Sequence, residues 1–264
     1  MHTKDYRYPG ERLILTLTFL AFLLVIALTA SATVCASGLF FLAFVLVSLS
    51  FSISHHKALM KSAERVNVQK NPELAVLLDQ GKRTLQTGPI EVYIVPSNKF
   101  NAYTFGLTSS KVVVLYSALF KIMDRDELEF VVGHEFGHIA LGHTWLNSIV
   151  GGMAGVPASW SAGALLSLAF LWWNRACELS ADRAGLLACG NLDKAISALV
   201  KIGAVSGIRN QHELETAYYQ IDLEDDNLWG NLNETLTSHP MLIRRINELR
   251  KFAASNHYRS DSRN

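Results

Sequence analysis

The chain has 264 residues, enough for one sizeable core together with membrane segments. Its 24 basic residues balance 23 acidic ones for a formal net charge of +1, which gives no polyanion-binding bias and excludes nucleic acid as an expected partner. Half of the residues are apolar, and they are concentrated in runs rather than spread evenly.

The first run covers residues 13–54, 42 consecutive positions without Asp, Glu, Lys, Arg or His. A single helix of that length would reach roughly 63 Å, about twice the hydrocarbon thickness of a bilayer. The run therefore predicts two transmembrane helices joined by a tight turn near Thr29 to Gly38. A cleaved signal peptide is the rival reading, with Ala30-Ser31-Ala32 as the cleavage site. The length of the apolar stretch and the second span that follows at once speak against it. Lys4, Arg7 and Arg12 precede the run, Lys57, Lys61, Arg65 and Lys70 follow it, and the connection carries no charge. By the positive-inside rule both ends, and all that follows, face the cytoplasm from the inner (cytoplasmic) membrane. Cys35, Cys177 and Cys189 form no C-x-x-C pairing and no disulfide framework, as expected in a reducing compartment.

Residues 1–12 are thus a cytoplasmic N-terminal segment, 13–54 the membrane hairpin, 55–254 a folded domain and 255–264 a disordered polar tail. Within the domain, His55 to Val68 reads as a polar helix or connector. Asn71-Pro72 resembles an N-cap followed by a first-turn proline, opening a helix that Gly88-Pro89 ends. IEVYIV, AYTFG and KVVVLY are short β-branched or aromatic runs, so Ile90 to Tyr116 is expected to form a small antiparallel sheet. Asp124 and Glu127 fit a capping box at the start of the next helix. A second apolar run, residues 146–173, precedes a helix through RACELSADRAGLLAC, and PMLIRRINELRKFAA closes the domain as a last helix. The expected fold class is mainly α with a small antiparallel β-sheet, an α+β arrangement.

The chemistry concentrates in VVGHEFGHIALGH, where three histidines and one glutamate fall within ten positions. On a helix His134 and His138 share one face a turn apart, the spacing at which two imidazoles hold one zinc ion. Glu135 then points into the cleft as a general base for a zinc-activated water. His-Glu-x-x-His fixes only three positions, so it also occurs by chance in unrelated helices. His143 lies about 140° further round the helix than His138 and follows Gly142, a helix-ending residue, so it is expected to cap the helix or bond to a loop rather than bind metal. A third ligand must come from elsewhere, and Glu178 in CELSADRAG is the best candidate. Asp182 shares its helical face at i+4 and can accept a hydrogen bond from the outward nitrogen of a ligand histidine. By itself this pair would read as a solvated acidic face beside Arg183, and its coexistence with the first motif reverses that. Cys177 is expected to be packed.

HEFGH, ELSAD and SHP at residues 238–240, with Arg245 six positions after the histidine, resemble the integral-membrane zinc metallopeptidases typified by HtpX and the type 1 CAAX prenyl protease. VYIVPSNKFNAYTFG followed by KVVVLYSALF is similar to that family's strand pair with its Asn-Ala step, and the likeness covers residues from about 72 to 250. The resemblance implies a zincin-like domain of the gluzincin type on the membrane hairpin, one Zn2+ per chain on His134, His138 and Glu178, and Glu135 as base. It implies too that His239 and Arg245 stabilise the tetrahedral intermediate, the structural alternatives being that His239 simply caps the last helix and that Arg245 is one of a surface pair with Arg244. Asn101 and Ala102 would lie on an edge strand that a substrate peptide extends, or Asn101 would be a turn residue. The implied partners are protein or peptide substrates, above all membrane or misfolded proteins, and the lipid bilayer. The oligomeric state is left open. Two rival functions are a catalytically silent zinc-dependent chaperone or adaptor using the same groove, and a membrane scaffold with an incidental motif. Three ligands on one ion forbid a single crossing of the membrane by residues 146–173, so that run is expected to return as a shallow hairpin turning near Pro157 to Ser161.

Overall fold

The computed structural model describes residues 6–33, 60–97, 101–105, 111–144, 161–206 and 240–255, together with short pieces between 39 and 58 and Tyr258. Helix α1 (Glu11–Thr33) covers the first half of the long apolar run and presents Leu13, Leu17, Phe19, Leu20, Leu23, Leu24 and Leu28 outward. It stays helical through Thr33, well into the stretch where a turn is expected, and residues 34–38 lie outside the described residues. No transmembrane hairpin is defined among the described residues, where no helix is long and apolar enough to cross a membrane.

Strand β1 (Glu64–Arg65) falls in the segment expected to be a helix or connector; two residues are too short to leave a pattern in sequence. Helix α2 (Pro72–Thr84) opens on its proline, but the Asn71 side chain makes no capping bond. Strands β2 (Ile90–Val95), β3 (Ala102–Phe105) and β4 (Lys111–Tyr116) complete a four-stranded sheet of order β1-β2-β4-β3. The sheet is mixed, which corrects the antiparallel expectation: β2 runs parallel to β4, with Ile90 opposite Lys111 and Val95 opposite Tyr116. β1–β2 and β3–β4 are antiparallel. Burial explains the order. KVVVLY is continuously apolar, and Val113, Val114 and Leu115 are fully buried, so β4 takes the centre while AYTF is left at the edge.

Helices α3 (Leu119–Ile122), α4 (Arg125–Leu141), α5 (Ser161–Cys189), α6 (Leu192–Ser206) and α7 (Pro240–Ala253) make the rest of the domain. One face of the sheet, through Val92, Val113 and Leu115, joins Phe130, Phe136, Leu186, Leu199 and Leu249 in the main core. The other face packs Val95, Val114 and Tyr116 against Tyr103. Tyr258, inside the expected disordered tail, packs edge-on against Phe252 at 5.8 Å.

Helix α5 begins at Ser161, 14 residues before Arg175, so the second half of the apolar run 146–173 is part of the helix that carries Glu178. No proline interrupts it, and Ala and Leu dominate its first turns. The expected turn falls outside the described residues except for Ser161 itself, which is helical. Ile14 of α1 packs with Trp173, Ala176 and Cys177 of α5 in a small separate cluster.

Candidate active site

Helix α4 is defined at both ends by local chemistry. The Asp124 side chain accepts from Glu127 N–H at 2.9 Å and Glu127 accepts from Asp124 N–H at 2.9 Å, a complete capping box. Gly142 closes the helix in the left-handed conformation at φ 80°. Between these ends the face of α4 that carries Gly133 and Gly137 lies against α5. A Cβ on Gly133 would fall 2.4 Å from the Cβ of Ala188, and one on Gly137 2.5 Å from that of Ala184. Small residues on both helices thus let the two backbones approach closely, which brings His134 and His138 opposite Glu178 and Asp182.

The Nε2 atoms of His134 and His138 are 3.2 Å apart, and the Glu178 carboxylate faces both, with Oε1 3.4 Å from His138 Nε2 and Oε2 3.6 Å from His134 Nε2. Three ligands about 2.0–2.2 Å from one tetrahedral ion would be separated by roughly 3.3–3.6 Å, so the spacing of these three groups suits a shared zinc ion. The ring tautomers agree. His134 Nδ1 faces Asp182 Oδ1 at 3.0 Å, and His138 Nδ1 faces His143 Nδ1 at 3.0 Å. With the proton of each ring held on Nδ1, both Nε2 lone pairs point at each other and at a carboxylate, an arrangement that a cation between them resolves.

Asp182 is 1 % exposed and takes two N–H donors from Arg245, Nε to Oδ2 at 2.8 Å and Nη2 to Oδ1 at 2.6 Å. Burial pushes the Asp182 carboxyl up, but Arg245 and His134 outweigh it and hold it below its ordinary value. Glu178 behaves alike: burial raises it, and Arg245, with Nη1 3.3 Å from Oε2, and the two imidazoles hold it well below the carboxylate range. Glu135 is the exception. It is 6 % exposed, and burial pushes its carboxyl up to about 7 despite the lowering field of His138. A carboxyl poised there suits proton transfer at neutral pH.

Arg245 is therefore engaged by two carboxylates rather than lying on the surface beside Arg244. His239 lies outside the described residues. Ala102 begins β3, an edge strand of the sheet, and Asn101 immediately precedes it, exposed, with its carbonyl accepting from Tyr116 N–H at 3.1 Å.

His143 neither caps α4 nor bonds to a loop. It is 2 % exposed, lies between His138 and Glu11, and reaches Glu11 Oε1 through Nε2 at 3.1 Å. Burial and the neighbouring His138 and Arg7 push its pKa down to about 2, so the ring is neutral. Glu11 also accepts from Arg7 Nη1 and from Ser180 Oγ. Sequence reasoning missed Glu11 and Ser180: a single acid beside a basic segment reads as flanking charge, and its partners lie 132 and 169 residues away. Cys177, as expected, is packed and fully buried.

Compared with known proteins, residues 63–253 match the sequence model of peptidase family M48. The plastoglobule-localized metallopeptidase 48, chloroplastic, of Arabidopsis thaliana is 29 % identical over 211 residues, covering 74 % of this chain but 61 % of that protein. A protease HtpX homolog of Thermococcus kodakarensis is 28 % identical over 225 residues, 73 % of this chain and 77 % of its own length. Protease HtpX of Xylella fastidiosa is 29 % identical over 223 residues, 69 % and 74 % of the two chains.

Proposed function

Since the chain belongs to peptidase family M48, we propose that it is a membrane-anchored zinc-dependent endopeptidase whose ion is held by His134, His138 and Glu178. The observation that carries this reading is the convergence of the three donor groups, with the two Nε2 atoms 3.2 Å apart, the Glu178 carboxylate oxygens 3.4 and 3.6 Å from them, and both outward ring nitrogens already occupied. A bound zinc would supply Lewis acidity, polarising a peptide carbonyl and acidifying a water beside it. The protein's own groups do the rest. Glu135 takes the water's proton on its carboxylate and returns it to the departing amine. Asp182 fixes the His134 ring, and Arg245 fixes Asp182 while turning Nη1 toward the metal side, where a developing oxyanion can share it. His239 is assigned the other oxyanion contact.

A substrate segment would add to β3 beside Asn101 and Ala102, using main-chain hydrogen bonds that depend little on sequence. Membrane anchoring is supported by the outward leucines of α1 and by the uncharged run of residues 13–54, read as two spans with the domain of residues 55–254 on the cytoplasmic face. Exposed segments of membrane or misfolded proteins are then the substrates that such a site meets. The test is metal content together with casein cleavage by the purified protein, beside its Glu135→Gln variant. One zinc per chain in both, with cleavage only in the parent, is the expected result; cleavage undiminished in the variant defeats the mechanism.

A further inference from the structure

Glu11 has no part in the chemistry assigned above, yet it is 1 % exposed and accepts hydrogen bonds from Arg7, Ser180 and His143. The segment leading into it is fastened at several points. Arg7 Nη2 donates to Leu141 O at 2.9 Å, Tyr8 N–H to Ser180 Oγ at 2.8 Å, and Arg183 Nη1 to Arg7 O at 3.2 Å. The start of α1 is thereby held against the C-terminal end of α4 and the middle of α5, close to the metal site.

The zinc reading assigns the protons in this cluster. His138 Nδ1 and His143 Nδ1 face each other at 3.0 Å, and two such nitrogens bond only when one is protonated and the other is not. On the zinc reading, from which this inference proceeds, His138 binds through Nε2 and carries its proton on Nδ1. His143 Nδ1 must accept it. The His143 proton then sits on Nε2, which points at Glu11 Oε1 from 3.1 Å, where a carboxylate is the fitting acceptor. His134 has its ring held directly by an acid, Asp182, whereas His138 is held by an acid one imidazole further away.

We propose that Glu11 and His143 are positioning residues for the zinc ligand His138, so that the metal affinity of the site depends on the docking of helix α1 against the peptidase domain. The N-terminal helix is then more than an anchor: it supplies the last member of a hydrogen-bond chain that ends at the metal. Detaching α1, for instance by a change in its membrane seating, would loosen His138 and lower the affinity for zinc.

One other occupant of this region can be weighed. Cys177 Sγ, His143 and Glu11 offer ligand atoms within 4.8 Å of one another, the size of a second metal site. Glu11 already receives three donors, and both nitrogens of His143 are taken, so these two residues are satisfied by hydrogen bonds without an ion.

The experiment is zinc affinity of the full-length protein in detergent, by chelator competition, for the parent, Glu11→Gln, His143→Leu, His143→Gln, the Glu11→Gln/His143→Leu pair and Cys177→Ser. Nitrogen-15 shifts of the histidine rings are recorded alongside. His143→Leu and Glu11→Gln are each expected to weaken zinc binding, by about 10- to 100-fold for Leu, with the double variant no weaker than the weaker single one. His143→Gln, which can accept at one end and donate at the other, should recover part of the loss. A residue that only fills space would favour Leu over Gln. In the metal-free proteins, where Nε2 is free to take the proton, the ring shifts should show His138 leaving the Nδ1–H form in His143→Leu even where that variant is less stable, so a folding defect does not hide the answer. Zinc affinity and His138 tautomer unchanged in His143→Leu, or additive losses in the pair, would overturn the inference while leaving the zinc site intact. A second equivalent of zinc lost in Cys177→Ser would overturn it in favour of a second ion. A parent protein that takes up no zinc would instead remove the peptidase reading beneath it.

Discussion

Gly137 of α4 and Ala184 of α5 lie so close that a methyl group added at residue 137 would sit 2.5 Å from the Ala184 Cβ, well inside van der Waals contact. The two helices carry all the ligands of the proposed zinc site between them, so their separation sets its dimensions. Gly137→Ala is expected to force them apart, at a cost of about 1–3 kcal/mol in stability, and to weaken zinc binding through displacement of His138 against Glu178. Thermal unfolding and chelator titration measure the two effects. A variant as stable and as tight-binding as the parent would mean that the contact is not a constraint. The helical motif is visible in sequence, but the need for glycine at 133 and 137 is not, because the crowding atoms belong to residues 184 and 188.

Glu135 gives a pH dependence in which activity and stability move in opposite directions. Its carboxyl is raised from an ordinary value of 4.5 to about 7 by burial. The base must be ionised to act, so hydrolysis should fall as pH drops through about 7, and at a lower pH if a bound cation draws the carboxyl down. For stability the sign reverses: the folded protein holds the proton more tightly than the unfolded chain, so this contribution is lost as pH rises from 4.5 toward 7 and beyond. Metal-free Glu135→Gln should therefore be more stable than the parent at pH 8 and no more stable at pH 4. Melting curves at the two pH values decide it, and an equal gain at both would assign the effect to something other than ionisation.

Asp182→Asn keeps the shape of the side chain but removes the charge that Arg245 and His134 share. Zinc affinity is expected to fall by about 10- to 100-fold with the fold retained. Arg245→Met should reproduce part of that loss, since Asp182 would then be buried with one fewer partner. Affinity unaltered in Asp182→Asn by chelator titration would reduce the residue to a structural ion pair.

Away from the site, Lys201 and Glu127 form a buried pair at 2.9 Å, with Lys201 also donating to Ile122 O and Glu127 serving the capping box of α4. Lys201→Ala leaves the Glu127 charge without its countercharge and should cost about 3–5 kcal/mol. Denaturant unfolding measures it, and a loss under about 1 kcal/mol would show that the cap and Ser197 alone satisfy the carboxylate.

What the sequence made legible follows from how local each feature is. His134, Glu135, His138, Gly142, Asp124 and Glu127 lie within one helix and its caps, and helical spacing together with local capping patterns places them. Glu178 and Asp182 share a face of α5 for the same reason. The sheet was misread because strand order is a tertiary property: three runs in a row suggest a meander, and only the full burial of Val113, Val114 and Leu115 shows that β4 belongs between β2 and β3. Arg245 could be placed near the site through family resemblance, but its grip on Asp182 depends on how α7 packs. Glu11 had no local signal at all.

Helices α1 and α5 leave the domain side by side. Glu11 touches Ser180, and three residues on Ile14 packs with Trp173 and Ala176, so the two helices run antiparallel, α1 leaving the site as α5 returns to it. Ser161 is 17 residues before Glu178 on one continuous helix, which places it roughly 26 Å from the metal site at 1.5 Å per residue. The part of the helix before Trp173, residues 161–172, makes up roughly 17 Å of this, about half of the ~30 Å hydrocarbon layer. Leu171 and Trp172 are exposed at 51 % and 47 %, and Asn174 and Arg175 beside them mark the first polar step toward the domain. On the proposed membrane anchoring, the bilayer surface is expected between residues 172 and 174, with α1 and the first half of α5 descending together below it and the cleft held at the interface. In a protein whose Cys35, Cys177 and Cys189 are replaced by serine or alanine, a membrane-impermeant maleimide should reach Asn174→Cys from the cytoplasmic face and fail to reach Ser161→Cys from that face. Equal reaction at both positions from the cytoplasmic side would place the whole of α5 in water, and the apolar run would then be a cover over the domain rather than part of its anchor.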